Sequence, residues 1–147
     1  EVGNIAVQAR SLGLKQPLMG GDGWDSPKLL EIGKNAVQNC YFSNHYSPDS
    51  KDPRVVKFVG DFKKRNGGET PDALAAVAYD AAYIMVDAIR RAGDTDRAKI
   101  RDAIASTKDF AGVTGVITMG KDRNPVKPAV VLQVRGNKFE YVSTVKP

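Results

Sequence analysis

Residues 16–33 read QPLMGGDGWDSPKLLEIG, a pattern that predicts a strand, a loop and a helix in succession. The apolar run 16–19 is too short for a helix and predicts a buried strand, which ends in a glycine-rich loop. Ser26 followed by Pro27 is typical of a helix start, because serine caps a helix and proline fits its first position. Gly33 predicts the end of that helix. This order is typical of an α/β domain.

The same alternation continues on both sides of this stretch. Apolar residues at helical spacing over 2–12 predict a preceding helix, and the run 39–46 predicts a second strand after it. Asp52 and Pro53 then begin another helix with one apolar face. The order helix, strand, helix, strand, helix favours an α/β domain with a parallel sheet.

The second half of the chain begins with an unusually apolar predicted helix over 73–92, capped by Asp72. Its only strong polar stripe consists of Asp80, Asp87 and Arg91. Such a helix must be covered on most sides, yet two predicted parallel strands offer too little sheet to cover it. We therefore expect another chain or a missing N-terminal segment to supply the covering surface, and we favour the missing segment.

The remainder of the chain has mostly a β pattern. After a short helix that starts at residues 95–96, strands are predicted over 113–119, 129–134 and 139–145. Gly136 and Asn137 lie between the last two strands and tolerate positive φ angles, so this turn predicts a β-hairpin.

Composition excludes several classes of function. The 147 residues carry a formal net charge of +5, but lysine and arginine are scattered. The one tight basic cluster, 63–65, lies at a predicted helix end, where positive charge offsets the helix dipole. Without a concentrated basic patch, no nucleic-acid partner is expected.

Two aspartates interrupt the most apolar stretch, so no membrane span is predicted. The single cysteine, Cys40, excludes an intrachain disulfide and is interpreted as a small buried residue.

The residues that catalysis, cofactors and metals require are scarce. His45 is the only histidine, and we interpret it as a hydrogen-bonded loop residue rather than a catalytic base or ligand. No nucleophile-elbow pattern occurs. The loop 20–23 matches neither the dinucleotide fingerprint nor the P-loop, and Asp22 with Asp25 falls short of a calcium loop. We therefore predict a protein that is not an enzyme and that holds no cofactor or metal.

A binding site is better supported, around Asp22. In parallel α/β sheets, ligands bind beyond the carboxyl ends of the strands, where Asp22 is expected. Neighbouring glycines such as Gly21 let a ligand approach the backbone. A carboxylate beside the broad ring of Trp24 suits an ammonium group, through a charge-assisted hydrogen bond and a cation–π contact. The residues leave an alternative open, in which Asp22 only forms a turn and Trp24 only packs.

Motifs along the whole chain carry a family resemblance. They are MGGDGWDSPKL at 19–29, NHYSP at 44–48, PDALAAVAYDA at 71–81 and GVTG at 112–115, with EVG, QAR and GLK within 1–15. In content and order, this set is similar to the branched-chain amino-acid-binding proteins of ABC importers.

The resemblance implies the type I periplasmic-binding-protein fold, incomplete in this chain. That fold has two α/β lobes, each a parallel sheet with helices on both faces, joined by three crossovers and closing on an amino acid. Residues 1–48 would belong to the C-terminal lobe, 49–118 would belong to the N-terminal lobe, and 119–147 would return to the C-terminal lobe. The chain would thus hold most of the C-terminal lobe and helices of the N-terminal lobe. Most of the N-terminal lobe's sheet would be absent, which accounts for the uncovered helix at 73–92.

The resemblance also implies roles for individual residues. Asp22 matches the acidic position that receives the ligand's ammonium group, in the cleft between the lobes. Leu74 matches a position where a relative has an aromatic ring on the ligand side chain, so that contact should be weaker or different here. The ligand carboxylate and part of the shell around its ammonium group would be held largely by N-terminal-lobe residues outside this chain. Gly21 and Trp24 complete the predicted site, Trp24 only from its place beside the motif.

The expected function is that of an extracytoplasmic substrate-binding protein. It would deliver a branched-chain or related amino acid to the permease of an ABC importer. It would be periplasmic or extracellular, with its signal peptide removed and with or without a lipid anchor. An alternative is an amino-acid-sensing or amide-sensing receptor or regulator of the same fold. An enzyme lobe, the third reading, would need its catalytic residues in the missing segment.

Overall fold

The computed structural model describes all 147 residues, and the chain divides into two compact units. The first unit comprises residues 1–47 and 129–145, and the second comprises 48–128 with the last two residues. No helix in either unit has the length and apolar character needed to cross a membrane.

The helices and strands alternate along the first half of the chain. In chain order, the helices are α1 (Val2–Ser11), α2 (Pro27–Gly33), α3 (Pro53–Arg65), α4 (Ala73–Ala92) and α5 (Arg97–Ala105). The strands are β1 (Met19–Gly20), β2 (Tyr41–Asn44), β3 (Phe110–Gly112), β4 (Gly115–Met119), β5 (Pro125–Val126), β6 (Ala129–Arg135) and β7 (Lys138–Val145). Short 3₁₀ helices cover Asp22–Trp24 and Lys34–Val37.

The first unit is built on a four-stranded sheet in the order β1, β2, β6, β7. The two strands predicted to be parallel, β1 and β2, do pair in parallel. The predicted C-terminal hairpin, β6 and β7, joins this pair antiparallel through β6, so the sheet is mixed rather than wholly parallel. The α/β class is therefore confirmed.

The prediction of a buried strand at 16–19 is wrong in extent and in burial. The strand covers only Met19 and Gly20, and the Met19 residue is 80% exposed. Pro17 has no N–H group to donate, so regular pairing begins after it. Successive side chains of a strand point to opposite faces, so Leu18 packs against the core while Met19 points away from it.

The core of the first unit lies between this sheet and helices α1 and α2. Its fully buried members are small or aliphatic residues around one aromatic ring: Ala6, Leu29, Val37, Cys40, Phe42, Leu132 and Val134. Cys40 is buried, as predicted, and its Sγ accepts a hydrogen bond from the Leu18 N–H at 3.3 Å. The Phe42 ring meets Phe139 edge-on, with centroids 5.0 Å apart.

The predicted helix starts are confirmed by their caps. At each start, a side-chain oxygen accepts a backbone N–H of the first turn, which satisfies a group that the helix itself leaves unpaired. The capping residues are Ser26, Asp52, Asp72 and Asp96. The basic cluster 63–65 lies in the last turn of α3, where it was expected.

The strand predicted over 113–119 begins only at Gly115, because Asp80 holds residues 113 and 114 in the turn that joins β3 to β4. Asp80 is only 3% exposed, and its carboxylate accepts the N–H groups of Val113 and Thr114 at 2.7 and 2.8 Å. The Thr114 hydroxyl donates to the same carboxylate at 2.7 Å. Gly115 then adopts a φ angle of +112°, which favours glycine. Asp80 is thus buried, whereas Asp87 and Arg91 of the same predicted stripe form an exposed ion pair.

Helix α4 is largely uncovered, as expected from its sequence. Its buried residues are small, apart from Asp80: Ala73, Ala76 and Ala88. Its large apolar side chains lie on exposed faces, among them Leu74, Tyr83, Met85, Val86 and Ile89. Packing against α5, the contact of Tyr79 with the Phe58 ring of α3 and the tie to the β3–β4 hairpin hold the helix in place, while its large apolar side chains stay exposed.

Candidate functional site

Asp22 lies just beyond the carboxyl end of β1, at the start of the first 3₁₀ turn. Gly21 precedes it in an extended conformation, and the Trp24 N–H donates to the Gly21 carbonyl at 3.1 Å. The Asp22 side chain caps no helix, and 53% of it is exposed. The turn thus presents a carboxylate to its surroundings instead of using it to close the backbone.

His45 lies at the carboxyl end of β2, beside Asp22. Because β1 and β2 are parallel, their carboxyl ends meet at one edge of the sheet. The Nε2 atom of His45 lies 3.1 Å from Oδ2 of Asp22, and both side chains are partly exposed. The interpretation of His45 as a hydrogen-bonded residue is confirmed. Its partner was not predicted, although the parallel pairing of the two strands was the signal that could have found it.

Asn44 adds a buried polar group to the same strand end. Its Oδ1 accepts the His45 backbone N–H at 2.9 Å, which fixes the start of the loop after β2. Its Nδ2 atom is buried and finds no hydrogen-bond partner in the protein. Buried donors are nearly always paired, so this unpaired amide is an exception at the strand end. The sequence placed Asn44 in a motif without suggesting this burial.

Trp24 packs against the sheet. Its ring lies over Gly20, so closely that a Cβ on Gly20 would come within 2.1 Å of the ring atom Cε2. The ring also lies 6.2 Å from Phe42, centroid to centroid, and adjoins the core of the first unit. These are the contacts of a packing residue, which was the alternative left open by the sequence. Contact between Trp24 and a ligand stays a prediction.

We expect Gly20→Ala to lower the free energy of unfolding by about 1–3 kcal/mol, because the added methyl overlaps a rigid ring that has little room to move. Gly21→Ala is the matched control, since a Cβ there meets nothing within 4 Å. Urea denaturation of both variants measures the difference. Equal stability of the two variants would contradict the close packing of Trp24 on Gly20.

Leu74 and Gly21 are the remaining residues of the predicted site. Leu74 lies in the first turn of α4, in the second unit, and is 68% exposed. Gly21 is exposed with open space around its α-carbon, which leaves room for a ligand near the backbone. The ligand roles of Leu74 and Gly21 stay predictions. No three His, Cys, Asp or Glu side chains are grouped so that they could hold a metal ion.

Comparison with known proteins identifies the family. Residues 1–138 match the model of a family described as periplasmic binding protein. The chain belongs to this family. The resemblance carried by the motifs is thereby confirmed, and so is the type I periplasmic-binding-protein fold, of which this chain spans a part.

Two curated relatives are named as homologs of Leu/Ile/Val-binding protein. Leu/Ile/Val-binding protein homolog 1 of Brucella suis is 29% identical over 147 residues, which covers 97% of this chain and 38% of the relative. Homolog 2 of Brucella abortus is 30% identical over 146 residues, covering 96% of this chain and 38% of the relative.

Two solved structures superpose closely on the chain. The leucine-binding protein LivK of Thermotoga maritima is 37% identical with a TM-score of 0.91, covering 99% of this chain and 42% of that one. The substrate-binding protein LivJ of Streptococcus pneumoniae, solved in complex with isoleucine, is 31% identical with a TM-score of 0.86, covering 99% and 41%. The chain therefore spans about two fifths of the length of the relatives that it matches.

Proposed function

We propose that this chain is part of an extracytoplasmic substrate-binding protein, periplasmic or extracellular, that delivers a branched-chain amino acid to the permease of an ABC importer. The observation that carries the proposal is the exposed Asp22 carboxylate at the carboxyl end of β1, in a member of the periplasmic binding protein family. The relatives named for leucine, isoleucine and valine point to the class of ligand.

The chemistry of Asp22 suits the ammonium group that every free amino acid carries. An ionised carboxylate accepts charge-assisted hydrogen bonds, which are about twice as strong as neutral ones. The aspartates at positions 52, 72 and 96 use their carboxylates to cap helices, whereas Asp22 makes no such bond. Only Oδ2 of Asp22 is bonded to His45, so Oδ1 is available to an ammonium donor.

We also assign residues 1–48 and 119–147 to the C-terminal lobe of the complete fold, and 49–118 to the N-terminal lobe. The change of compact unit at 47/48 supports the first of these boundaries, whereas the second change lies at 128/129, ten residues after the proposed one. On this assignment Asp22 and Gly21 belong to the C-terminal lobe, and Leu74 belongs to the N-terminal lobe.

The ligand class is tested by calorimetric titration of the protein expressed from its complete reading frame. We expect leucine, isoleucine or valine to bind, and 4-methylpentanoate, which is leucine without its amino group, to bind about tenfold to hundredfold more weakly than leucine. The reason is that the analogue forfeits a charged hydrogen bond worth about 1.5–3 kcal/mol. Equal affinity for leucine and the analogue would contradict recognition of the ammonium group.

Delivery is tested separately, in proteoliposomes that contain a branched-chain amino-acid ABC importer from the same organism. The leucine-loaded protein should stimulate ATP hydrolysis by the importer, because a substrate-binding protein presents its closed form to the permease. Leucine binding without any such stimulation would favour a sensor over a transport component.

A further inference from the structure

We propose that His45 is a positioning residue, which holds the Asp22 carboxylate in the orientation that receives the ligand's ammonium group. This inference rests on the proposed function, since it concerns how the same site achieves its affinity. The observation behind it is the 3.1 Å separation between Nε2 of His45 and Oδ2 of Asp22.

The histidine is itself placed by rigid structure. It directly follows β2, whose last residue, Asn44, pairs with Val130 of β6 inside the four-stranded sheet. The Asn44 side chain then accepts the His45 backbone N–H at 2.9 Å. The imidazole therefore starts from a fixed point, whereas Asp22 lies in a short turn between glycines. Groups held by a supporting shell keep their geometry better than groups on a free loop.

A hydrogen bond from His45 changes what Asp22 offers to a ligand. With a proton on Nε2, the imidazole donates to Oδ2 and restrains the rotation of the carboxylate, while Oδ1 keeps its acceptor sites. Ordering the acceptor before binding removes part of the entropy cost that binding would otherwise carry. The pair is partly exposed, so it adds little to folding stability. Its effect should therefore appear in affinity and not in stability.

The test compares leucine binding by His45→Ala, His45→Gln, Asp22→Asn and the double variant Asp22→Asn/His45→Ala, in the protein from its complete reading frame. We expect His45→Ala to weaken leucine binding about threefold to tenfold, the loss of one hydrogen bond. Glutamine also carries an N–H donor at the end of its side chain, so His45→Gln should regain most of the affinity. The double variant should bind no more weakly than Asp22→Asn, because the histidine acts through the aspartate.

Ser43→Ala is the control for substitution in β2, since Ser43 lies on the exposed face of that strand. It should leave leucine affinity unchanged, and the melting temperature of every variant should stay near that of the wild type.

Three results would overturn the positioning role while leaving the proposed function intact. They are a His45→Ala affinity within about twofold of wild type, a His45→Gln affinity as weak as that of His45→Ala, or a further loss when His45→Ala is added to Asp22→Asn. The failure of the proposed function looks different, because the wild-type protein would then bind no branched-chain amino acid.

Discussion

Replacing Asp22 with alanine should weaken the binding of leucine by about tenfold to hundredfold while changing folding stability little. A charge-assisted hydrogen bond to an ammonium contributes about 1.5–3 kcal/mol, and its removal also leaves the ligand's charge without a partner. Folding should be nearly unaffected, because the Asp22 side chain is half exposed and caps no helix. Calorimetric titration and thermal unfolding of the same samples measure both quantities.

Glu31→Ala is the matched control for this experiment. Glu31 is another exposed acid of the first unit, paired with Lys28 on the surface of α2, and its loss should leave affinity unchanged. If Asp22 only shapes its turn, the outcome is reversed: stability falls by about 1 kcal/mol and affinity stays nearly constant. That result would remove Asp22 from the binding site.

The largest effect on stability is expected at Asp80. Alanine in its place should cost about 3 kcal/mol, because the N–H groups of Val113 and Thr114 would lose their acceptor inside the protein. The substitution also removes a negative charge that acts on Lys127. In the wild type, burial lowers the pKa of the Lys127 ammonium, and the negative charge of Asp80 partly offsets that shift. Urea denaturation, monitored through the unfolding transition of the second unit, measures the loss of free energy of unfolding.

Two companion variants distinguish the stabilising effect of the buried Asp80 carboxylate from a general effect of removing charge from α4. Asp87→Ala removes an exposed ion pair with Arg91 on the same helix and should cost only about 0.5 kcal/mol. Thr114→Val removes the hydroxyl donor alone and should cost about 1 kcal/mol. If Asp80→Ala is no more destabilised than Asp87→Ala, the carboxylate does not hold the β3–β4 turn.

The parts of the fold that sequence predicts well are those with local causes. A capping side chain and the N–H groups it accepts lie within three residues of each other, so Ser26, Asp52 and Asp72 could mark helix starts directly. The turn at Val113 and Thr114 has its cause in Asp80, 33 and 34 residues away along the chain. Nothing in the local pattern of 113–119 shows that bond, so the strand was predicted to begin two residues before its actual start at Gly115.

Strand pairing, too, was predicted only where its cause is local. The parallel pairing of β1 and β2 was predicted, because a helix between two strands gives the crossover that parallel strands need. The insertion of β6 between β2 and β7 depends on which edge is free, and hydrophobic periodicity carries no such information.

At the candidate site, the sequence supplied the residue but not its surroundings. The rule that ligands bind at the carboxyl ends of parallel strands, together with the motif at 19–29, pointed to Asp22. The bond to His45 spans 23 residues and depends on the register of β1 and β2. The packing of Trp24 on Gly20 likewise depends on the path of the 3₁₀ turn, which the glycine-rich loop did not define.

The most direct measurement is a crystal structure of the protein from its complete reading frame, grown with leucine. The predicted result is a leucine ammonium nitrogen about 3 Å from Oδ1 of Asp22, with Nε2 of His45 still bonded to Oδ2. A leucine whose ammonium group lies more than about 5 Å from the Asp22 carboxylate, held by other acceptors, would contradict the account.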